Sequence, residues 1–547
     1  MMKFSQVAMC GISFCAKASV CVLLVCGVTG IFFQSTECKA ALDEQLYICP
    51  RAASMGNAMS AYPVGTMAVH FNPAELIKLR GKHLDIGMVY PIIKLTSRFT
   101  APDNYRGFMG YKNDPVINTE SVADTLVLNI PFNGPASFDA IAAPANAGFS
   151  WSPPGADWTA GFAIYAPFAA GLEREGPAAY DGEALYMQRL VAAPAMAYKL
   201  SNTLSVGASV GFGTAALGVR TDARAPNDIV ALTYLLGELT KNLDDVITLG
   251  LIPFPLFGGG IYPFDSVCRL TVDNLQDTGT FSYNLGLLWE PNDWFSAGIC
   301  YQSESKTKLS GNYNIKYYEN FQNVMDWLVA NELLSLFSAA LGLPTQGGLE
   351  NQTGRCSVEF TFPQRVQGGI MIKPIKKLAL MCDVDWVNWG SLDAINIKFD
   401  QDIQLMQLAG ILGYAYGGEN LVYKLYMKDT VNWHFGAEYQ LLDWLAVRGG
   451  YEYRPTSVNY RYRDVMMPLD DLFVYSGGFG IKITRDADID LGVSYIRAKN
   501  TEITQDDPSE HANLVDIAAV IYNPYSGLNI EEKMYAWIIS AGINYRW

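Results

Sequence analysis

The sequence predicts an all-β membrane protein, a 14-stranded antiparallel transmembrane β-barrel, and three observations carry that reading. The C-terminal run alternates strictly: Tyr535, Trp537, Ile539, Ala541, Ile543, Tyr545 and Trp547 on one face, Ser540, Gly542, Asn544 and Arg546 on the other. Beyond the first forty residues no apolar stretch reaches the roughly 18 residues of a spanning helix, so only a closed barrel can satisfy every backbone donor and acceptor in lipid. Short turns such as Pro153-Pro154-Gly155-Ala156, Ser201-Asn202, Pro291-Asn292-Asp293 and Arg485-Asp486-Ala487 alternate with long connections, the asymmetry of bacterial barrels. Composition agrees: 50% hydrophobic residues are interspersed with 49 glycines and 31 tyrosines, a mixture suited to many half-buried strands. A formal net charge of -15 excludes a nucleic-acid binder, which would need clustered Lys and Arg.

The N-terminus reads as a secretory signal peptide over 1–40: Lys3 and Lys17 flank its early region, an apolar run covers Ala18 to Phe33, and Cys38-Lys39-Ala40 offers the cleavage site. The alternatives are an uncleaved anchor, for which the apolar run is short, or a lipoprotein site at Cys26, which Val25 disfavours. Five cysteines follow the leader: Cys49, Cys268, Cys300, Cys356 and Cys382. They form no CxxC pair, and with 4 histidines in the chain they give no metal site. A disulfide between Cys268 and Cys356 is open on sequence grounds.

Segment 41–81 lacks alternation and is either a plug or a disordered leader; Asn72 is placed to cap a turn or helix beginning at Pro73. The barrel then occupies 82–547, with strands near 82–98, 143–152, 157–170, 185–199, 203–222, 276–290, 294–316, 354–373, 377–399, 424–440, 444–460, 471–484, 488–501 and 533–547. Two of the long connections have helical spacing. The first holds Leu232, Leu235, Leu236 and Leu239, followed by Ile252, Phe254, Leu256 and Phe257; the second holds Phe321, Met325, Trp327, Leu328, Leu333, Leu334, Leu336 and Phe337.

Several ordered blocks carry a family resemblance. They are Asn72-Pro73-Ala74 before the first strand; Gly161 to Phe168; Ala197-Tyr198-Lys199-Leu200 leading into Leu204 to Ala208; Phe281 to Tyr301 with Lys308 to Gly311; Pro363 to Pro374; Leu378 to Trp389; Gly436 to Tyr439; and Arg448 to Tyr453. With them the chain resembles the FadL-type outer-membrane transporters of long-chain fatty acids and aromatic hydrocarbons (OmpP1/FadL/TodX). The resemblance implies a hatch built around Asn72, Pro73 and Ala74 inside the barrel. It further implies capture of a hydrophobic small molecule by partly helical external loops and passive, hatch-gated uptake. The loops near 223–275 and 317–353 match no family block, which leaves the substrate open, and Trp547 stands where family members commonly end in Phe.

On this reading Leu235, Leu236, Leu239, Phe254, Phe257, Trp327, Leu328, Leu333, Leu336 and Phe337 line an external capture groove, or simply pack as a cap. Pro167 removes a donor from the third strand, and FadL-type barrels kink there, so Ala166, Pro167, Phe168 and Gly171 are expected to line a lateral exit; an ordinary strand end is the alternative. Arg365, Lys373, Arg448 and Arg454 face the lumen and either meet a ligand carboxylate or pair with Asp383, Asp385 and Glu452. His434, with no nucleophile motif around it, reads as a satisfied lumen histidine. Asp486, Asp488 and Asp490 imitate a calcium loop, but Gly492 comes one position late and Arg497 stands where the bidentate Glu belongs. The expected partners are the hydrophobic solute, outer-membrane lipid and, through the C-terminal strand, the barrel-assembly machinery. The chain is read as a non-enzyme without cofactor or metal, its oligomeric state open with a monomer favoured, the alternative function being a general porin or surface-adhesin barrel.

Overall fold

The computed structural model describes residues 48–130, 133–139, 141–176, 180, 182–466, 470–517 and 523–547. The signal-peptide assignment, 1–40, and residues 41–47 of the following segment lie outside the described residues. Fourteen strands form the barrel. They are β1 (Gly81–Thr100), β2 (Glu120–Ile130 and Ala143–Ser152), β3 (Trp158–Glu175), β4 (Ala184–Lys199), β5 (Leu204–Arg224), β6 (Ser266–Asn292) and β7 (Phe295–Gln302 and Ser305–Tyr317). The second half comprises β8 (Asn351–Phe362 and Arg365–Ile375), β9 (Leu378–Val387 and Ala394–Phe399), β10 (Asn420–Lys424 and Thr430–Leu442), β11 (Leu445–Arg454), β12 (Leu472–Lys482), β13 (Ala487–Ala498 and Thr501–Ile503) and β14 (Asn529–Arg546). Each is antiparallel to its neighbours, and β1 closes on β14 from His83 opposite Arg546 to Thr100 opposite Asn529, so no edge is left at the seam.

The sheet's faces are those the alternation dictates. Tyr535, Trp537, Ile539, Ile543, Tyr545 and Trp547 are exposed on the outer wall, where the solvent is lipid, whereas Ala536, Ile538 and Ser540 are buried in the lumen. Short turns and both barrel termini lie at one end, which is therefore the periplasmic one, and the long connections lie at the other.

Two differences from expectation concern where strands run. The second strand is not confined to 143–152: Glu120–Ile130 forms its outer half, and Gly134–Phe138 pairs back on that half as a hairpin. The segment escaped notice because Ala123, Leu126 and Val127 are buried on both of its faces, which erases alternation. Strand β6 also begins at Ser266, ten residues earlier than 276. The helical spacing of the loops is realised in helices Asp228–Thr240, Glu319–Leu328 and Glu332–Ala340, the first capped by Asn227 and the third by Asn331. Helix Gln404–Ile411 was not anticipated.

Residues 48–80 fill the periplasmic half of the lumen. Ile48, Met55, Val69, Phe71 and Leu76 are wholly buried there, packed against inward side chains such as Ala163, Tyr165, Val191 and Met381. Burial of each large side chain contributes about 1.5–3 kcal/mol to holding the segment in place.

Candidate functional site: a sealed lower lumen, an apolar chamber and a gap in the wall

The lower lumen is built around Asn72. Its side chain donates to the carbonyls of Ser60 (2.7 Å) and Leu287 (3.1 Å) and accepts from the Ala74 amide (3.1 Å), capping the short helix Pro73–Lys78. Pro73 at the first position has no N–H to satisfy. The wall meets this turn with glycines on three successive strands. A Cβ at Gly207 would lie 2.3 Å from Pro73, one at Gly286 2.1 Å from Asn72 Oδ1, and one at Gly298 1.7 Å from the Ser60 carbonyl oxygen. These three positions, absent from the sequence reading, form the seat of the Asn72-Pro73-Ala74 turn.

Polar bonds complete the seal. Glu452 accepts from Asn57 (2.8 Å), Asp383 from the Ser60 amide (2.7 Å), Glu438 from the Tyr62 hydroxyl (2.6 Å) and Asp85 from the Thr66 amide (2.5 Å). The lumen cations join the same network. Arg365 lies 3.4 Å from Asp385, Arg454 2.5 Å from Glu452, and Arg448 2.7 Å from Glu438, with Asp490 on its other side. Lys373 sits apart, two residues before the strand ends at Ile375 on the periplasmic side. His434 bridges the Gly56 carbonyl (3.0 Å) and Asp385 (3.3 Å), a structural position. Among the described residues no His, Cys, Asp and Glu cluster could hold a metal; Asp490 bonds Arg448 and Asn544, and Asp488 faces Arg546 at 3.6 Å.

The five described cysteines are free thiols. The Cys268–Cys356 pairing is excluded by register: Cys268 lies opposite Tyr317 and Cys356 opposite Gly311, on the two sides of β7. An intervening strand and six residues along it separate them by roughly 20 Å, beyond the ~7 Å reach of a disulfide.

Above the seal the lumen turns apolar. One cavity of about 200 Å³ lies among Phe168, Met187, Met427, Met466 and Met534. A second, of about 190 Å³, lies nearer the outside and shares Leu185, Ile395 and Met466 with the first. Beneath the first, a polar recess of about 40 Å³ is lined by His70, Arg189, Asn284, Gln302 and Arg365. Arg189, which the sequence reading passed over, donates to Ser282 (2.8 Å) and stands 5.2 Å over the Phe362 ring. Its signal was available: it is an inward cation between Met187 and Val191 on an otherwise apolar strand face.

The wall beside the first cavity is incomplete. The lower half of β2 pairs with β1 only as far as Val89 opposite Ala143, and the upper half resumes at Leu95 opposite Ala123. On the other side, β3 pairs with the lower half up to Tyr165 and with the upper half from Leu172. Tyr90 to Lys94 and Ala166 to Gly171 therefore border a gap some five residues, about 16 Å, long and roughly 10 Å between strand centres. Ala166, Pro167, Phe168 and Gly171 all lie on this border, and a bulge between Tyr165 and Phe168 bends β3 there. Pro91 and Pro167, on opposite edges, each remove a donor that the gap would leave unpaired.

Outside, the loop helices pack through Trp327, whose ring is 4.9 Å from Phe257 and whose indole donates to the Pro253 carbonyl (2.8 Å). Leu328 is buried in the core below, and Leu235, Leu236, Phe254 and Phe257 are half-buried. Leu239, Leu333, Leu336 and Phe337 remain exposed, at 68%, 52%, 70% and 60%. Cap packing and an open apolar surface thus coexist.

The family model described as outer membrane protein transport protein (OMPP1/FadL/TodX) matches residues 47–547. The long-chain fatty acid transport protein of Escherichia coli O6:H1 is 23% identical over 416 residues, covering 74% of this chain and 75% of that one. The Escherichia coli K12 protein of that name is 23% identical over 265 residues, 48% of each chain. Among solved structures, a Pseudomonas aeruginosa FadL homologue superposes with a TM-score of 0.64 at 16% identity, covering 94% of this chain and all of its own. The toluene transporters TbuX of Ralstonia pickettii and TodX of Pseudomonas putida give 0.55 and 0.56 at 16% and 14% identity, covering 92% and 94% of this chain and 99% of each of theirs. The structural likenesses show the fold.

Proposed function

The chain belongs to the OMPP1/FadL/TodX family of outer membrane transport proteins, and from that premise we propose that it carries hydrophobic compounds, long-chain fatty acids or related aromatic molecules, across the outer leaflet by diffusion. The exposed leucines and Phe337 of the loop helices capture the solute. It passes into the apolar chamber, which lies above the polar recess lined by Arg189 and Arg365. Residues 48–80 act as the hatch, blocking direct passage to the periplasm, and the solute leaves sideways between β1 and β3.

The observation that supports this reading best is that the chamber opens sideways but not downward: its lining runs into Ala166 to Gly171, while the seat of Asn72 closes the floor. Labelled palmitate and toluene uptake by a deletion strain, with and without the gene, tests it. Restored uptake without increased sugar flux in liposomes is the expected result; sugar flux without hydrophobic uptake would replace it with a porin.

A further inference from the structure

Strand β2 holds more chain than the wall needs. Along β1, the six steps from Leu95 to Val89 face the twenty from Ala123 to Ala143; along β3, the seven from Tyr165 to Leu172 face the twenty from Leu126 to Asn146. The excess is fourteen residues by one count and thirteen by the other, and it includes the hairpin in which Leu126 to Ile130 pair with Gly134 to Phe138.

This hairpin lies on the outer face of the barrel. On β4 and β5 the inward row, Leu185, Met187, Leu217 and Val219, packs on the lumen cluster, so Tyr186, Gln188, Ala216 and Gly218 point outward. Yet Tyr186 and Ala216 are each only 4% exposed, because Val127 covers them. The Asn129 amide donates to the Gln188 side chain (3.1 Å), and Ser137 Oγ donates to Glu173 (2.5 Å). The crossing point is Gly171: a Cβ there would lie 2.0 Å from the Val127 carbonyl oxygen. Strand β2 leaves the wall over a residue of β3 that has no side chain to obstruct it.

The two sides of β2 let go at different places. It stays on β3 through Leu126 but leaves β1 after Ala123, with a bulge between Ala123 and Thr125. Continued past that bulge, the ladder would set Thr125, Leu126, Val127 and Leu128 opposite Lys94, Ile93, Ile92 and Pro91. Leu126 and Leu128 would then face the chamber they already line, and Val127 would join Ile92 on the lipid side.

We propose that the gap is a zipper gate: β2 peels from β1 and climbs over β3 at Gly171 in the open state, and closes by pairing Thr125–Leu128 with Pro91–Lys94. The inference rests on the lateral exit proposed above. Closure gains ladder bonds and gives up the hairpin's cover on Tyr186 and Ala216. Pro91 limits that gain by offering no donor, which keeps the two states close. A solute in the gap contacts Leu126 and occupies the space into which the strand must zip, so loading favours the open state.

Three variants in a Cys382→Ser background test this, with heat-modifiable migration on gels confirming a folded barrel. Removing residues 129–141 deletes the excess and makes β2 continuous; palmitate uptake is expected to stop. Gly171→Val blocks the climb and is expected to lower the initial uptake rate roughly tenfold. In Ile92→Cys with Val127→Cys, the zipped pairing brings the Cα atoms to about 5 Å, within disulfide reach. Oxidation should then form the cross-link and arrest uptake, and dithiothreitol should restore it. Wild-type uptake by the deletion variant would overturn the lateral exit itself. Arrest in that variant, but wild-type uptake by Gly171→Val and no cross-link, or a cross-link without effect, would leave the exit standing and overturn the gate.

Discussion

The two halves of the lumen solve opposite problems with the same alternating strands. In the lower half the inward positions are glycines and paired charges: Gly207, Gly286 and Gly298 admit the Asn72 turn, and Glu438, Glu452, Asp383 and Asp385 bond the N-terminal segment or the arginines beside it. In the upper half they are methionines, leucines and phenylalanines around cavities of about 200 and 190 Å³. Close approach and directional bonds make a seal with one arrangement; flexible apolar side chains make a space that adapts to its contents.

That contrast can be broken or sharpened by substitution. The largest effect is expected from Glu452→Gln, which strips the carboxylate from Arg454 and His434 in a buried site. It should cost about 3–5 kcal/mol, read as an earlier heat-induced gel shift. Gly298→Leu comes next: with a Cβ in collision with the Ser60 carbonyl, overpacking of about 1–3 kcal/mol should unseat the hatch and raise vancomycin sensitivity, with uptake of apolar solutes retained.

A third effect depends on pH. Burial, reinforced by Asp383 and Glu290, holds the Glu75 carboxyl of the lumen-filling segment 48–80 well above the usual carboxylate range, and neither of its oxygens has a hydrogen-bond partner among the described residues. Seated in the lumen, the segment keeps this proton at a pH where an unseated segment would have lost it. Seating is therefore strongest below the ordinary carboxylate pKa and weakens as pH rises towards the raised value. Protection factors across 48–80, corrected for the intrinsic rise of exchange with pH, should fall in the wild type as pH rises above the ordinary carboxylate range, and Glu75→Gln should flatten that slope. The smallest stability effect belongs to Leu336→Glu with Phe337→Glu. On exposed helix positions these should change stability by about 0.5 kcal/mol or less while slowing palmitate uptake at low concentration, separating capture from folding.

Much of this contrast was legible in the sequence. Period-two runs located strands as far apart as β5 and β14 because each has one face in lipid, and the turn chemistry at Pro153 and Asp486 fixed which end was which. Pro167 stood out as a break in the third strand, and with Gly171 it borders the gap. What stayed hidden depends on contacts between distant segments. In the upper half of β2, Leu126 and Val127 point to opposite faces and are both buried, which blurs the alternation. The glycine seat is invisible until Asn72 is known to dock on β5, β6 and β7. The suggested Cys268–Cys356 link fails because proximity in a barrel follows register and not loop order.

The most direct test of the division between seal and chamber is a crystal structure soaked with a terminally brominated fatty acid, with bromine located by anomalous scattering. Bromine is expected within the chamber bounded by Phe168, Met187 and Met466, above an undisturbed Asn72-Pro73-Ala74 turn. Bromine below that turn, on a path straight to the periplasm, would contradict it.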